Sequence, residues 1–208
     1  MSQNYLTEQE KFWAGDFCVE YIKRNQGNHI LASNLAFFSC ALRKTRGLES
    51  CIEFGSNIGM NSQALKLLRP EMELSAIEIN SAAAEVLEKI IDKNNIFNTS
   101  ILQFESERNW DLVLIKGVLI HINPAQLPVV YRKLINATKK YLLIAEYYNP
   151  TPVEVKYRGH AERLYKRDFA GEILDQFPEM CLVDYGFVYK RDLSFPMDDV
   201  TWFLLEKR

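Results

Sequence analysis

Apolar and polar positions change their period twice along the chain. Between about Glu8 and Asn25, Phe12, Trp13, Phe17, Val19, Tyr21 and Ile22 stand among charges in a broad amphipathic pattern that predicts a helix. A second helical pattern at Asn34–Lys44 carries Leu35, Phe37, Phe38, Cys40, Ala41 and Leu42. From Ser50 the pattern shortens. Apolar runs of strand length at Ser50–Phe54, Leu74–Glu78, Thr99–Gln103, Leu112–Ile115 and Tyr141–Ala145 alternate with helical patterns at Asn61–Leu68, Ser81–Lys93 and Pro124–Thr138. Strands repeated with intervening helices predict a parallel sheet covered on both faces, a doubly wound α/β fold. After Asn149 a polar, Pro-containing connection, NPTPVEVKYRGHAERLYKRDF, leads into a helix near Phe169–Gln176 and strands near Cys181–Lys190 and Val200–Glu206. RDLSFPMDD turns the chain back between them, so the last two strands are expected to pair antiparallel at one edge.

The length of 208 residues suits one domain, and a 48% apolar, 25% charged composition assures a globular core. Lysine and arginine number 25 against 27 acids, a net charge of −2, which lacks the basic excess of a nucleic-acid binder. No run reaches the ~18 apolar residues of a membrane helix, and MSQNYLTEQEKFW lacks the charged start and hydrophobic middle of a signal peptide. A soluble cytoplasmic protein, with neither membrane nor nucleic acid as partner, is the expectation. Cys18, Cys40, Cys51 and Cys181 form no C-x-x-C pair, and with His29, His121 and His160 they have no zinc-site spacing; buried reduced thiols and no metal are expected.

The segment Cys51–Asn61, CIEFGSNIGMN, follows a strand start and opens a helix. There Gly55 can make a tight turn and Gly59 can admit close approach of backbone to a ligand. Its G-x-x-x-G spacing is not that of a pyrophosphate loop, and Glu53, two residues before the first glycine, repels phosphate and favours a cationic ligand. Glu78 ends the next strand, about 20 residues on, where such folds place an acid that accepts hydrogen bonds from ribose hydroxyls. S-adenosylmethionine, with a ribose, an ammonium, a sulfonium and no phosphate, fits this pair of carboxylates better than NAD does. Each feature alone has an ordinary structural explanation; together, in the correct strand context, they favour the ligand site.

EFGSNIGMN, AIEIN and DLVLIKGVLIHINP resemble the motifs of class I S-adenosylmethionine-dependent methyltransferases. The whole chain, through FWAGDFCVEYIKRN, KGVLIHINP, IAEYYNPTPVEVKYRGHAERLYKRDFAGE, LVDYGFVYKRD and DDVTWFLLEKR, resembles the pseudaminic acid biosynthesis-associated methylases, a clade associated with nonulosonic acid sugars of bacterial surface glycans. The resemblance implies a Rossmann-like, mostly parallel seven-stranded sheet with an antiparallel last strand. It implies a single methyltransferase domain over 1–208: an N-terminal helical cap at 1–47, a cofactor-binding core at 48–149, and acceptor-lining connection and C-terminal strands at 150–208. S-adenosylmethionine is the implied cofactor, held by Glu53, Gly55, Ser56, Asn57, Gly59, Met60 and Asn61, with Glu78 on the ribose. Gln103 and Phe104 fall near the adenine position, and Lys116 and Gly117 along the methionine portion. In many relatives the N-terminal helix folds over the cofactor, which makes Trp13 a candidate contact.

The acceptor should lie beyond the carboxyl ends of the parallel strands. His121, in KGVLIHINP, is a general-base candidate with a near-neutral intrinsic pKa; equally, it can fix the turn through the backbone. Glu146 is the second base candidate, and Tyr147 and Tyr148 beside it offer flat walls for a sugar, or simple packing. Arg158, His160 and Arg163 lie in a cationic stretch that is either a solvated face or an anchor for the carboxylate or phosphate of an acceptor. Taken with the resemblance, which implies a nonulosonic acid or its nucleotide-linked form, these residues lead to the expectation of methylation at an oxygen or nitrogen of a small anionic sugar or nucleotide sugar. A non-catalytic S-adenosylmethionine-binding accessory protein of glycan assembly is the alternative, and a nicotinamide-dependent sugar oxidoreductase a third.

Overall fold

The computed structural model of the chain describes residues 5–15, 26–157, 159 and 162–208. Its strands are β1 (Ser50–Phe54), β2 (Glu73–Ile77), β3 (Ile96–Phe97), β4 (Trp110–Lys116), β5 (Thr138–Glu146), β6 (Val153–Glu154), β7 (Tyr165–Lys166), β8 (Met180–Val188) and β9 (Val200–Lys207). Its helices are α1 (Glu8–Ala14), α2 (Asn28–Ala41), α3 (Met60–Leu68), α4 (Ser81–Leu87), α5 (Leu127–Ala137) and α6 (Phe169–Gln176). One seven-stranded sheet has the order β3-β2-β1-β4-β5-β9-β8, with β1 to β5 parallel and β9 antiparallel to both β5 and β8. The doubly wound sheet and its antiparallel last strand are as the sequence implies.

Strand β4 reads as a continuous apolar run because both of its faces are covered. Leu112 and Leu114 join a core with Phe37, Phe38 and Ala41 of α2 and Leu65 of α3, while Val113 and Ile115 join a core with Val130 and Leu134 of α5 and Ile173 of α6. Side chains alternate across a strand with a period of two, so two residues farther on Lys116 points to the α2 side. By the same parity, Glu53 of β1 follows Cys51 to the α2 and α3 side, and Glu146 of β5 follows Ile144 to the α5 and α6 side. Lys116 and Glu146 end their strands and Glu53 is the last residue but one of β1, so all three lie at the carboxyl edge of the sheet and the chain's core pattern carries directly into its polar chemistry.

Several elements differ from the sequence expectation. The strand expected at Thr99–Gln103 is absent from those residues: β3 lies earlier, and Ser100 captures the following backbone, its Oγ accepting from Leu102 N at 3.0 Å and its carbonyl from Gln103 N and Phe104 N. This turn buries Ile101, Leu102 and Phe104 without a ladder, which is why an apolar run resembled a strand. Helix α1 stops at Ala14 with Gly15 at its end, and residues 16–25, including Phe17 and Tyr21, lie outside the described residues. Helix α2 starts six residues before the expected Asn34, α4 is shorter than Ser81–Lys93, and a 3-10 turn at Pro124–Gln126 precedes α5. The 150–167 connection contains the β6–β7 hairpin. Of the described cysteines, all free, Cys51 is buried, Cys181 is half-buried and Cys40 is exposed, which corrects the expectation of uniformly buried thiols. Among the described residues no helix is long and apolar enough to cross a membrane.

Candidate functional site

Strand order reverses between β1 and β4, and the loops that leave their carboxyl ends diverge around a cavity of about 220 Å³. The β1 loop turns sharply onto the neighbouring strand, with Gly55 N and Ser56 N donating to Ile77 O at 2.9 and 3.1 Å. Gly55 has φ +82°, and a Cβ there would meet Val118 Cγ2 at 2.7 Å; conformation and space both require glycine. Gly59 has φ +79°, but its Cβ would meet Leu87 and Ile90, at 2.7 and 2.9 Å. Its missing side chain therefore serves packing beneath the loop, and Gly59 is not among the residues lining the cavity. Gly55, Ser56, Asn57, Met60 and Asn61 do line it.

Glu53 is buried one layer below the cavity. Asn61 Nδ2 donates to its Oε1 at 2.6 Å and Ser62 Oγ to its Oε2 at 3.2 Å. Burial raises its pKa to about 7, opposed by Asn61, Lys116 and Ser62. Because Nδ2 of Asn61 is committed to a carboxylate, its Oδ1 is left over, buried and without a partner. The same holds for Oδ1 of Asn34, a 2% exposed residue of α2 that also lines the cavity. Lys116 enters the lining beside them, its Nζ 5.9 Å from the Phe37 ring centre, and burial lowers its pKa against the raising effects of Glu53, Asp198 and Glu146. This end of the cavity offers one cation and two orphaned amide oxygens.

Glu78 stands at the other end. Asn57 N donates to its Oε2 at 2.7 Å and Asn80 N to its Oε1 at 2.8 Å, which fixes the carboxylate at the cavity wall; burial nonetheless raises its pKa. Next to it the wall is apolar, from Ile77, Ile79, Ile101 and Leu102. The sequence-nominated Gln103 and Phe104 are not part of that wall: Gln103 is exposed, and Phe104 packs in the core edge-on to Phe54 with ring centres 5.8 Å apart. The Ser100 turn that replaces the expected strand puts Thr99–Leu102 there instead.

Helix α1 roofs the cavity with Thr7, Gln9, Glu10 and Trp13. A capping box of Thr7 and Glu10 starts it, and Glu10 Oε1 also accepts from Ser100 Oγ. Asn80 Nδ2 donates to Ala14 O at 3.1 Å and Gln9 Nε2 to Glu162 O at 3.1 Å, so both flanks of the helix are tied down. Trp13 packs on His121, with ring centres 4.6 Å apart. Ile30, Asn34 and Gln9 carry no local motif in the sequence, and the Thr7–Glu10 capping motif marks only a helix start; the approach of α1 and α2 brings all five to this cavity.

The β4 loop brings Lys116, Gly117, Val118 and His121 to the opposite wall. His121 is buried, and the carbonyl of Arg163 lies 2.5 Å from Nδ1; a carbonyl only accepts, so Nδ1 carries the proton and Nε2 presents a lone pair. Burial lowers its pKa to about 4, which keeps the ring neutral near pH 7. Tyr157 makes an edge contact with the same ring, centres 5.0 Å apart, and lies 6.5 Å from Trp13. Glu146 is 3% exposed and outside the lining, accepting at Oε1 from Val118 N and Leu119 N, both at 2.9 Å.

The remaining nominated acceptor residues are dispersed. Tyr147 OH donates to Asp198 Oδ2 at 3.0 Å, Tyr148 is exposed against Phe203, and the Arg163 guanidinium lies 5.4 Å from the Phe12 ring centre. None of the three lines the cavity; Arg163 acts on it through its carbonyl. Arg158 and His160 lie outside the described residues.

Among solved structures the chain is similar to the plantazolicin methyltransferase BpumL in complex with SAH, at 13% identity and TM-score 0.63, covering 96% of this chain and 94% of that one. It is also similar to the magnesium protoporphyrin IX methyltransferase ChlM from Synechocystis PCC 6803 with bound SAM, at 12% identity, TM-score 0.65 and 99% and 100% coverage. A SAM-dependent methyltransferase of Leishmania major gives 14% identity, TM-score 0.71 and 98% and 87% coverage. No protein-family model and no curated protein matches the chain. At these identities the likeness is one of fold: over nearly its whole length the chain is folded as these S-adenosylmethionine-dependent methyltransferases are.

Proposed function

We propose that the protein is an S-adenosylmethionine-dependent methyltransferase. Its acceptor is an oxygen or nitrogen of a small anionic sugar, a nonulosonic (pseudaminic-type) acid or its nucleotide-linked precursor in surface-glycan biosynthesis. The observation that carries the cofactor is the polarity of the cavity. Glu78 suits a ribose diol and the Ile77, Ile79, Ile101 and Leu102 wall a planar base, while the orphaned amide oxygens of Asn34 and Asn61, above Glu53, suit an ammonium. Lys116 supplies the charge for the carboxylate of the same amino-acid end. Bound there, the cofactor supplies a methyl group on a positively charged sulfur whose departure needs no protonation.

The chain's own task is then alignment, exclusion of water and removal of a proton. Trp13, His121 and Tyr157 form a tight aromatic wall, and the roof of α1 limits solvent. Neutral His121, held as the Nδ1–H tautomer, takes at Nε2 the proton that the acceptor hydroxyl or amine loses. Support for an anionic sugar comes from the sequence resemblance and the basic segment around Arg158 and Arg163.

Two measurements test the reading. Calorimetry should show binding of S-adenosylmethionine, lost in a double Gly55→Val, Glu78→Ala variant; wild-type affinity in that variant overturns the site. Incubation with free and nucleotide-linked nonulosonic acids should release S-adenosylhomocysteine and add one methyl group to the sugar. Cofactor binding without turnover on any of these sugars removes the acceptor class and leaves the binding site.

A further inference from the structure

The conformation of the β4 loop depends on a residue that never reaches the cavity. At Gly117, φ +68° turns the chain away from the sheet, and a single 3-10 turn, Leu119–His121, follows with His121 N donating to Val118 O at 2.9 Å. That turn starts without a side-chain cap of its own. The carboxylate of Glu146, arriving from β5 on the α5 and α6 side, takes both of its first N–H groups, at Val118 and Leu119, on one oxygen. The other oxygen, Oε2, is buried and unpartnered. A general base needs a free oxygen facing the acceptor, whereas this carboxylate is turned toward backbone and lies outside the cavity.

Two functional elements hang on the clamped turn. Val118 is the residue whose methyl group abuts Gly55, so its placement sets the width of the cavity between the β1 and β4 loops. His121 is three residues farther on and presents Nε2 only while its Nδ1 meets Arg163 O. We infer that Glu146 is a positioning residue: its carboxylate caps the 118–121 turn and thereby fixes both the Val118 wall of the cofactor cavity and the tautomer of His121. The inference rests on the methyltransferase reading for its purpose, though not for its geometry. Burial pushes the Glu146 pKa up to about 7 against the opposing effects of the Val118 and Leu119 N–H groups and of Lys116.

The test compares Glu146→Gln, whose amide oxygen can still accept both N–H groups, with Glu146→Ala, which leaves them without an acceptor. Three readouts serve: affinity for S-adenosylhomocysteine, the imidazole ¹⁵N shifts that report the His121 tautomer, and hydrogen exchange of the Val118 and Leu119 amides. In E146Q the affinity should stay within about threefold of wild type, with the Nδ1–H signature and slow amide exchange retained. In E146A, affinity should fall about tenfold or more, the amides should exchange faster and the tautomers should mix. Unchanged readouts in E146A, or an E146Q protein as impaired as E146A, overturn the inference. If E146A does not fold, E146Q decides alone: loss of the tautomer signature or of amide protection refutes the cap. Absence of wild-type binding to S-adenosylhomocysteine would instead defeat the proposed function, while the tautomer and exchange readouts would still judge the role of Glu146.

Discussion

Replacing Glu53 with glutamine should stabilise the unliganded protein while weakening its hold on the cofactor. The carboxyl is 1% exposed, and burial raises its pKa from 4.5 to about 7. A folded-state pKa above the unfolded one means that the native protein binds more protons between those values. Stability is therefore fully present below about pH 4.5 and is lost as pH rises through about 7. At about 1.4 kcal/mol per pKa unit, ionising this buried group by about pH 8 costs roughly 3 kcal/mol, but under about 1 kcal/mol at about pH 5. Glutamine keeps an acceptor for Asn61 and carries no charge. Urea denaturation of wild type and E53Q should therefore show a stability gain for the variant that grows by roughly 2 to 3 kcal/mol between about pH 5 and about pH 8. Calorimetry should show the opposite for S-adenosylmethionine, an affinity loss of about tenfold, because Asn61 no longer relays a negative charge toward the ammonium. A pH-independent stability difference between the two proteins would refute the burial argument. Unchanged affinity would refute the relay.

Other outcomes follow from the same geometry. Gly55→Ala and Gly117→Ala impose the same left-handed strain, about 1–2 kcal/mol, but only Gly55→Ala adds the 2.7 Å contact with Val118; denaturation should rank Gly55→Ala clearly the more damaging. His121 has its pKa lowered to about 4, so its contribution is present above the unfolded value near 6.5 and is lost as pH falls toward 4, where the unfolded chain gains a proton that the native one refuses. His121→Gln should remove that loss, seen as a flatter stability profile across this acid range. Trp13, in the cavity lining against His121, should change its fluorescence when S-adenosylhomocysteine is added, and the amides of Glu8–Ala14 should gain protection in hydrogen exchange. An unaltered Trp13 signal together with unaltered exchange would separate α1 from the cofactor.

The doubly wound class and the place of the cavity beyond the carboxyl ends of the strands were legible in the sequence because they depend on short-range signals. Continuous apolar runs such as that of β4 arise wherever a strand is covered on both faces, and the Gly55–Gly59 spacing between a strand and a helix marks a sharp turn at the carboxyl edge. Glu53 could be nominated from its place two residues before Gly55, and Glu78 from its place at the end of the next recognisable run. The pattern failed at Thr99–Gln103, where Ser100 folds an apolar run into a turn; burial there is satisfied without a ladder, and hydrophobicity alone does not separate the two cases.

The sequence by itself determined the class of fold, its antiparallel last strand and the loop that bounds the cavity, because periodicity and glycine spacing are local properties of the chain. Only the tertiary structure decided which side chains meet. It placed Glu53 beneath Asn61 rather than at the surface of the cavity, turned Glu146 onto the Val118–Leu119 backbone, and set Asn34, Glu10 and Trp13 from distant helices around the same space. The physical reason is the alternation of faces along a strand combined with the packing of two helical layers. Parity sends Glu53 and Lys116 toward α2 but Glu146 toward α5, and what each carboxylate then does depends on the donor that long-range packing brings to it.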